Sequence, residues 1–537
     1  MSEPNENLSY KRTTLYQSEF FEVVSVEWTD KSISPLHAHG WSECSVLIEE
    51  GVFEDSMELG FKKEIRILEM RQGFYTPVGA HHEFRCLSPN GKTLHVYTPK
   101  MNDRSLSDRF SSDFSESLKR DLHLSEPTRL DNLQKILGAV RDQSISTRSP
   151  YFMNQLFSGT SPQMLLAESL IAQTKTTMAT FEASPVLSTV ETEVIEALGE
   201  KIGWPTGSRD GVSVPGGSAA NFMALHCARQ KKFPEFKKKG MNGQKFKVFV
   251  SEDAHYSFQK AVVALGFGSD SLVSVPVDQS GRMKVSELTR LLEESDATPL
   301  MVCATAGTTV RGAFDPIEEL AALCKQKGIW LHVDAAWGGP ALFSKKISSL
   351  VLGIAQADSV TFDAHKLFGA NLTSSFILTR HSGLLLEAND VSGGDYLFHS
   401  DSKVFDRGKA SWQCGRKADA LSFWTIWKSV GTEGLGQFVD YLISVRNETL
   451  DWIKGEPRLE LVSTPEYLNV CVRVKSLVGE SGKDWSQKVR EELKSKNLAM
   501  VNYSADANGS FLRLILTHPH LEFKHVRQIL EWALEVR

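Results

Sequence analysis

The chain has 537 residues, 41% hydrophobic and 23% charged, with a formal net charge of -6. That is globular composition with room for more than one core, and without the basic excess of a nucleic-acid or anionic-membrane binder. The opening MSEPNENLSYKRTT is polar, no apolar run approaches a membrane span, and the seven cysteines form no CxxC pair. This pattern predicts a cytoplasmic protein with reduced thiols and no signal peptide.

Residues 9–100 carry short β-rich runs: FFEVVSVEW, CSVLIEEGVFE, EIRILEM, GFYTPV and TLHVYTP. Turn residues separate them, which predicts a small all-β barrel or double-sheet roll over residues 1–105. Residues 106–149 read as a polar, Ser/Asp-rich linker followed by an amphipathic helix, TRLDNLQKILGAV. From 150 to 430, helical spacing alternates with apolar strands such as KVFVSE, PLMVCATA, IWLHVDAA and SVTFDA. Continuous apolar strands between helices predict an α/β domain with a mostly parallel sheet covered on both faces. Residues 431–537 read as a small α+β domain with strands LELVST, LNVCVRV and SFLRLILT.

Lys366 follows the strand SVTFDA. A lysine held near a buried strand end is costly as an ammonium and is driven to lose its proton. A neutral amine is what Schiff-base chemistry requires. Taken alone, a solvated loop lysine is by far the commoner explanation. Four other stretches change the balance. Gly216-Gly217-Ser218 precedes a helical run, and a glycine turn at a helix start offers free N–H groups to a phosphate. Asp334 ends the apolar run LHVD, where a buried carboxylate needs a partner such as a pyridine N–H. His255 follows the strand KVFV and is placed to stack on a ring or shuttle a proton. Thr308 and Thr309 follow MVCATA.

In order along the chain, SPYFMNQLFSG, PGGSAANFMAL, SEDAHYSF, GTTVRGAFDPI, WLHVDAAWGG, DAHKLFGA, GDYLF and WQCGRKAD resemble the group II pyridoxal-phosphate (PLP) amino-acid decarboxylases. The resemblance runs from residue 150 to the end. It implies the type I PLP-dependent transferase fold and a homodimer with shared active sites, to which GDYLF contributes across the interface. It implies that Lys366 bonds the cofactor and Asp334 holds the pyridine N–H. His255 would stack on the ring, Thr309 would lie near it, and Gly217, Ser218 and His365 would lie at the phosphate. Asp363 stands where several relatives have an asparagine touching the phosphate, and a carboxylate is less suited to that task. Arg513 in SFLRLIL matches an arginine that grips a substrate carboxylate, as its planar fork allows. Phe157 and Ser158 in NQLFSG look closer to cysteine sulfinate decarboxylases than to glutamate decarboxylases. Phe405 is the nearest match to a loop tyrosine that returns a proton to the substrate in glutamate decarboxylases.

The N-terminal region carries a second pattern. His37-Ala38-His39 sits on a turn between β-like runs, and histidines at i and i+2 of a strand reach one metal. His81 or His82 in PVGAHHEF could add a third imidazole, and the Pro-x-Gly-x-x-His spacing selects His82. HxH with that later motif is a cupin pattern. The stretch is similar to cysteine dioxygenase, in which a cysteine after HxH cross-links to a tyrosine. Here the pair would be Cys44 and Tyr97, with His95 bonded to the tyrosine and Arg12 binding the cysteine carboxylate. Three neutral imidazoles leave positions on Fe(II) for thiolate, amine and O2. The family's N-terminal helices and C-terminal strands are missing.

Together the two resemblances imply consecutive steps: cysteine to cysteine sulfinate, then to hypotaurine, the taurine precursor. The competing expectation is a decarboxylase of aspartate, glutamate or cysteate joined to a non-catalytic cupin module.

Overall fold

Strand pleating decides the first part of the architecture, because alternate side chains must share one dry face. The computed structural model describes residues 10–17, 22–29, 33–38, 43–50, 52–59, 62–68, 73–76, 81–98, 109–122, 128–391, 394, 396–399, 406–475 and 480–536. It divides into two compact units, residues 1–146 and 147–537.

The first unit contains β1 (Tyr10–Gln17), β2 (Glu22–Thr29), β3 (Ile33–Ala38), β4 (Glu43–Glu50) and β5 (Phe53–Leu59), then β6 (Lys62–Leu68), β7 (Gly73–Thr76), β8 (His81–Cys86) and β9 (Asn90–Thr98). Two antiparallel sheets result, ordered β1-β2-β9-β4-β7 and β3-β8-β5-β6. Val24, Val26, Trp28, Val46 and Ile48 from the first sheet meet Phe53, Phe84 and Cys86 from the second in one buried cluster. Phe53 and Phe84 stack at 4.7 Å, and Trp28 meets both edge-on at 5.7 and 5.4 Å. SPLHAHG, read as a turn, instead supplies β3, so His37 lies within a sheet. Its sequence lacks an apolar alternation; pairing with β8 makes it a strand. The expected linker contains two helices, Glu116–Asp121 and Leu130–Asp142, the first capped by Ser115 Oγ accepting from Leu118 N at 3.2 Å.

The second unit is built on a seven-stranded sheet. Its strands are β10 (Asp210–Pro215), β11 (Phe246–Ser251), β12 (Leu272–Val275), β13 (Thr298–Thr305), β14 (Trp330–Ala335), β15 (Ser359–Asp363) and β16 (Ser374–Thr379). The order is β10-β16-β15-β14-β13-β11-β12, and β16 alone runs antiparallel to its neighbours. Alternate residues of the strands feed two cores, one on each face. Phe249, Val302, Val333 and Phe362 pack toward helix Pro185–Ile202, while Val248, Val250, Met301 and Cys303 pack toward helix Gly217–Lys232. A second, antiparallel sheet follows: β17 (Leu459–Leu461), β18 (Asn469–Val474), β19 (Asn502–Asp506) and β20 (Gly509–Ile515), ordered β17-β18-β20-β19. The helical run Ala420–Gly455 breaks at Gly431, where φ is 69° and ψ 172°. The expected division at 430/431 falls on this break. Residues on both sides of it share one core, so 147–537 forms a single compact unit. Among the described residues no helix is long and apolar enough to cross a membrane.

One buried ion pair ties the segments of this unit together. Arg416 Nη1 and Nη2 donate to the two Glu191 oxygens at 2.7 and 3.0 Å, and Nη2 also donates to Met178 O at 2.8 Å. Ser213 donates to the same carboxylate through N and Oγ. Burial pushes the Glu191 carboxyl up, but Arg416, helped by Arg407 and Ser213, outweighs it and holds the group down at about 2. Arg416→Met would leave a buried carboxylate without its counter-charge. It is expected to lower the unfolding free energy by about 3–5 kcal/mol in urea denaturation, with the double change Glu191→Met, Arg416→Met recovering part of the loss.

Candidate active site

Four parallel strands of the large sheet end on the same side, and each delivers a side chain just beyond its carboxyl end, where open α/β sheets bind ligands. β11 leads to His255, β13 to Thr309, β14 carries Asp334 as its next-to-last residue, and β15 leads to His365 and Lys366. These residues, with Gly217 and Ser218, line one cavity of about 290 Å³. A larger depression of about 440 Å³, at Gly243–Lys245 and Ser295–Thr298, lies elsewhere and gathers none of them.

The glycine turn is built for close approach. Gly216 takes a φ of 101°, and helix Gly217–Lys232 begins directly after it. Ala219 N and Ala220 N bond to Gly216 O, so the N–H groups of Gly217 and Ser218 precede the first helical bonds. A Cβ on Gly217 would stand 2.7 Å from Asp363 Oδ2, so only glycine fits. Asp363 is 2% exposed, its Oδ1 has no hydrogen-bond partner, and its Oδ2 lies 3.1 Å from Lys366 Nζ. The lysine is paired with a carboxylate that faces the helix start. His365 is held by its Nδ1, which donates to Ser374 O at 3.0 Å.

Asp334 is 5% exposed and accepts from Ala336 N at 3.1 Å and from Asn221 Nδ2 at 2.8 Å. His255 Nδ1 accepts from Ser257 N at 3.2 Å, which leaves the proton of the neutral ring on Nε2. Burial lowers the His255 pKa, Lys366 adds to that, and Asp334 and Asp363 oppose it. Arg513 lies on β20 behind this wall and does not line the cavity. Its Nη1 donates to Thr309 O at 3.1 Å and its Nη2 to Asn154 O at 2.8 Å, while Nε has no partner. Ser158 Oγ lies 2.6 Å from Thr517 Oγ1. Sequence reasoning passed over Asn221, buried in the helix behind the glycine turn, and His332, two residues before Asp334. The available signal was a polar residue on an otherwise apolar face.

In the first unit the backbone register sets His37 opposite His82 and Cys44 opposite Tyr97. Arg12 lies on β1. His95 Nε2 stands 2.8 Å from Thr93 Oγ1, which also accepts from Trp28 Nε1. His39 and Phe405 lie outside the described residues, as do the side chains of Arg12, His37, Cys44, His81, His82 and Tyr97. Among the described residues no group of three or more histidines, cysteines or carboxylates is placed to hold a metal.

A strand-end lysine, a buried carboxylate acceptor and a glycine turn opening a helix, gathered around one cavity, make this the site of a PLP enzyme. The cavity and the close-approach glycine fit such a group. The chain belongs to the pyridoxal-dependent decarboxylases: the pyridoxal-dependent decarboxylase conserved domain matches residues 116–475. It is 36% identical to cysteine sulfinic acid decarboxylase of Rattus norvegicus over 427 residues, covering 76% of this chain and 86% of that one. It is 35% identical to the acidic amino acid decarboxylase GADL1 of Mus musculus over 409 residues, covering 73% and 74%. The crystal structure of mouse CSAD in apo form aligns with a TM-score of 0.76 at 34% identity, covering 81% of this chain and 94% of that one. A tryptophan decarboxylase of Catharanthus roseus, at 23% identity and a TM-score of 0.72, shares the fold. The protein is therefore a pyridoxal-dependent decarboxylase, with a PLP-dependent transferase-like fold.

Asp363 places a negative charge beside the helix start. Asp363→Asn is expected to tighten binding of PLP to the cofactor-free protein by about tenfold, one pKa unit's worth of interaction. Fluorescence titration measures it, and an unchanged or weakened Kd would remove Asp363 from the phosphate end.

Proposed function

We propose that the second unit decarboxylates cysteine sulfinate to hypotaurine. The observation that carries this reading is the likeness to proteins named cysteine sulfinic acid decarboxylase. Arg513 is a buried arginine behind Thr309 whose two Nη groups are held by backbone carbonyls, and it would meet a substrate's acidic group only after releasing one of them.

When bound, PLP supplies an aldehyde for the amino group and an electron-withdrawing ring. The chain's residues do the rest. Lys366 offers its amine to the aldehyde, and Asp363 takes up the charge of that amine when it is free. Asp334 accepts the pyridine N–H. Gly217 and Ser218 present N–H groups, and His365 a ring, to the phosphate. His255 would cover the ring face, and it is the group we assign to return a proton to the substrate carbon, which it does from its cationic form because the neutral ring is no acid. We also propose a cytoplasmic homodimer, in which the segment with the exposed Val391 and Tyr396, at 74% and 77%, would meet a second copy.

We assign the first unit to the preceding step, oxidation of cysteine at Fe(II). His37, His39 and His82 would hold the metal, Arg12 the carboxylate, and Cys44 and Tyr97 would form the cross-link. Both oxygen atoms of O2 end on the cysteine sulfur, so no external reductant is required. The register that pairs His37 with His82 and Cys44 with Tyr97 supports the assignment. A second reading keeps decarboxylation but takes aspartate, glutamate or cysteate, with a non-catalytic first unit; the likeness to the acidic amino acid decarboxylase GADL1 favours it.

Lys366→Ala is expected to abolish decarboxylation and the long-wavelength absorbance of bound PLP. Arg513→Ala should raise KM for cysteine sulfinate at least tenfold. Rates compared across cysteine sulfinate, cysteate, aspartate and glutamate decide the substrate, and a preference for glutamate would sink the first reading. The first unit is tested by iron content and by oxygen uptake with cysteine. The expected result is one iron per chain and uptake that His82→Ala removes; an iron-free, inert protein would leave the decarboxylase alone.

A further inference from the structure

Trp330, His332 and Asp334 alternate on β14 and therefore face the same side of the sheet, toward helix Gly217–Lys232. The register places Ser359 of β15 opposite His332 and Thr361 opposite Asp334. A chain of buried hydrogen bonds joins them. Trp330 Nε1 donates to Ser359 Oγ at 2.9 Å, and Ser359 Oγ lies 2.8 Å from His332 Nδ1. His332 Nε2 lies 3.1 Å from Asn221 Oδ1, which also accepts from Thr361 Oγ1 at 2.7 Å. Asn221 Nδ2 then donates to Asp334 Oδ2 at 2.8 Å and to Ser257 Oγ at 2.9 Å.

The directions follow from the two ends of the chain, an indole N–H that only donates and an amide oxygen that only accepts. Ser359 accepts the indole N–H, and a neutral His332 whose Nε2–H meets the Asn221 oxygen leaves Nδ1 to accept the Ser359 proton. The neutral imidazole then carries its proton on Nε2, facing Asn221 Oδ1. With its oxygen fixed there, the amide can only present its N–H groups to Asp334. Ser359, His332, Asn221 and Thr361 are each at most 1% exposed, so water does not compete. Burial pushes the His332 pKa down to about 4, against the pull of Asp334, which agrees with a neutral ring.

The geometry points to a one-way relay in which Trp330, Ser359, His332 and Asn221 are positioning residues that keep Asp334 an acceptor and so hold the cofactor's pyridine nitrogen protonated. This rests on the reading that Asp334 faces that nitrogen. Each N–H given to Asp334 favours its carboxylate form, and a carboxylate favours the protonated ring. A sequence that needed only a packed core would fill positions 221, 332 and 359 with apolar side chains, since buried polar groups are costly unless fully paired.

The test uses holoenzyme carrying PLP labelled with nitrogen-15 in the ring and reads the ring resonance by NMR. Asp334→Asn should move it furthest toward the unprotonated ring. His332→Leu, Ser359→Ala and Trp330→Phe should move it part of the way in the same direction. Thr379→Val removes a buried hydroxyl that donates to Asp358 O at 2.8 Å in the same sheet, outside the relay, and should leave it in place. Ser359→Ala deletes one oxygen atom and is the variant that tests the relay even where the larger changes unfold the protein. A wild-type resonance in Ser359→Ala, with Asp334→Asn shifted, would overturn the relay alone. A wild-type resonance in Asp334→Asn would overturn the Asp334 reading beneath it. A shift in Thr379→Val as large as in Ser359→Ala would mean general loosening of the sheet and would also defeat the relay.

Discussion

The 3.1 Å contact between Lys366 Nζ and Asp363 Oδ2 is the constraint around which the second unit is arranged. A half-buried amine, two buried carboxylates and a histidine share one small cavity, and charges out of water persist only where partners are fixed. The sheet does the fixing. Its parallel strands bring their carboxyl ends to one edge, and cores on both faces hold the strands in register. The Glu191–Arg416 pair ties helix Pro185–Ile202 and β10 to the segment around residue 416, far along the chain. The site's precision therefore depends on contacts that never touch it.

Much of this site was legible because each piece is local. DAHK, HVDAA, SEDAH and PGGS each combine a strand end with its reactive residue, and the parallel sheet implied by the apolar strands brings such ends together. The residues that escaped notice act only across segments. Asn221 sits on a helix and His332 on a strand, and their significance appears once the register sets β14 beside β15 and the helix above both. β19 escaped for a different reason. NYSAD is polar, its side chains lie half in solvent, and only its ladder with β20 makes it a strand. Arg513 was found from its setting in an apolar strand, but that setting did not say that two carbonyls occupy its fork and only Nε remains.

In the first unit the apolar runs predicted strands correctly where they alternate, as in FFEVVSVEW, and failed at SPLHA, where pairing decides. Its two sheets share a core of large aromatic and β-branched side chains. Cysteine and tyrosine, and two histidines, stand opposite one another across neighbouring strands though 53 and 45 residues separate them in sequence. Sequence spacing alone carries no such information, and strand register does.

The reversal of direction between β15 and β16 has a mechanical meaning. Lys366 lies in the short connection between two adjacent antiparallel strands, and His365 N bonds to Ser374 O across it. The lysine's main chain is thereby anchored from both sides, like a post set between two rails. Any travel of the amine must therefore come from its own four-carbon arm.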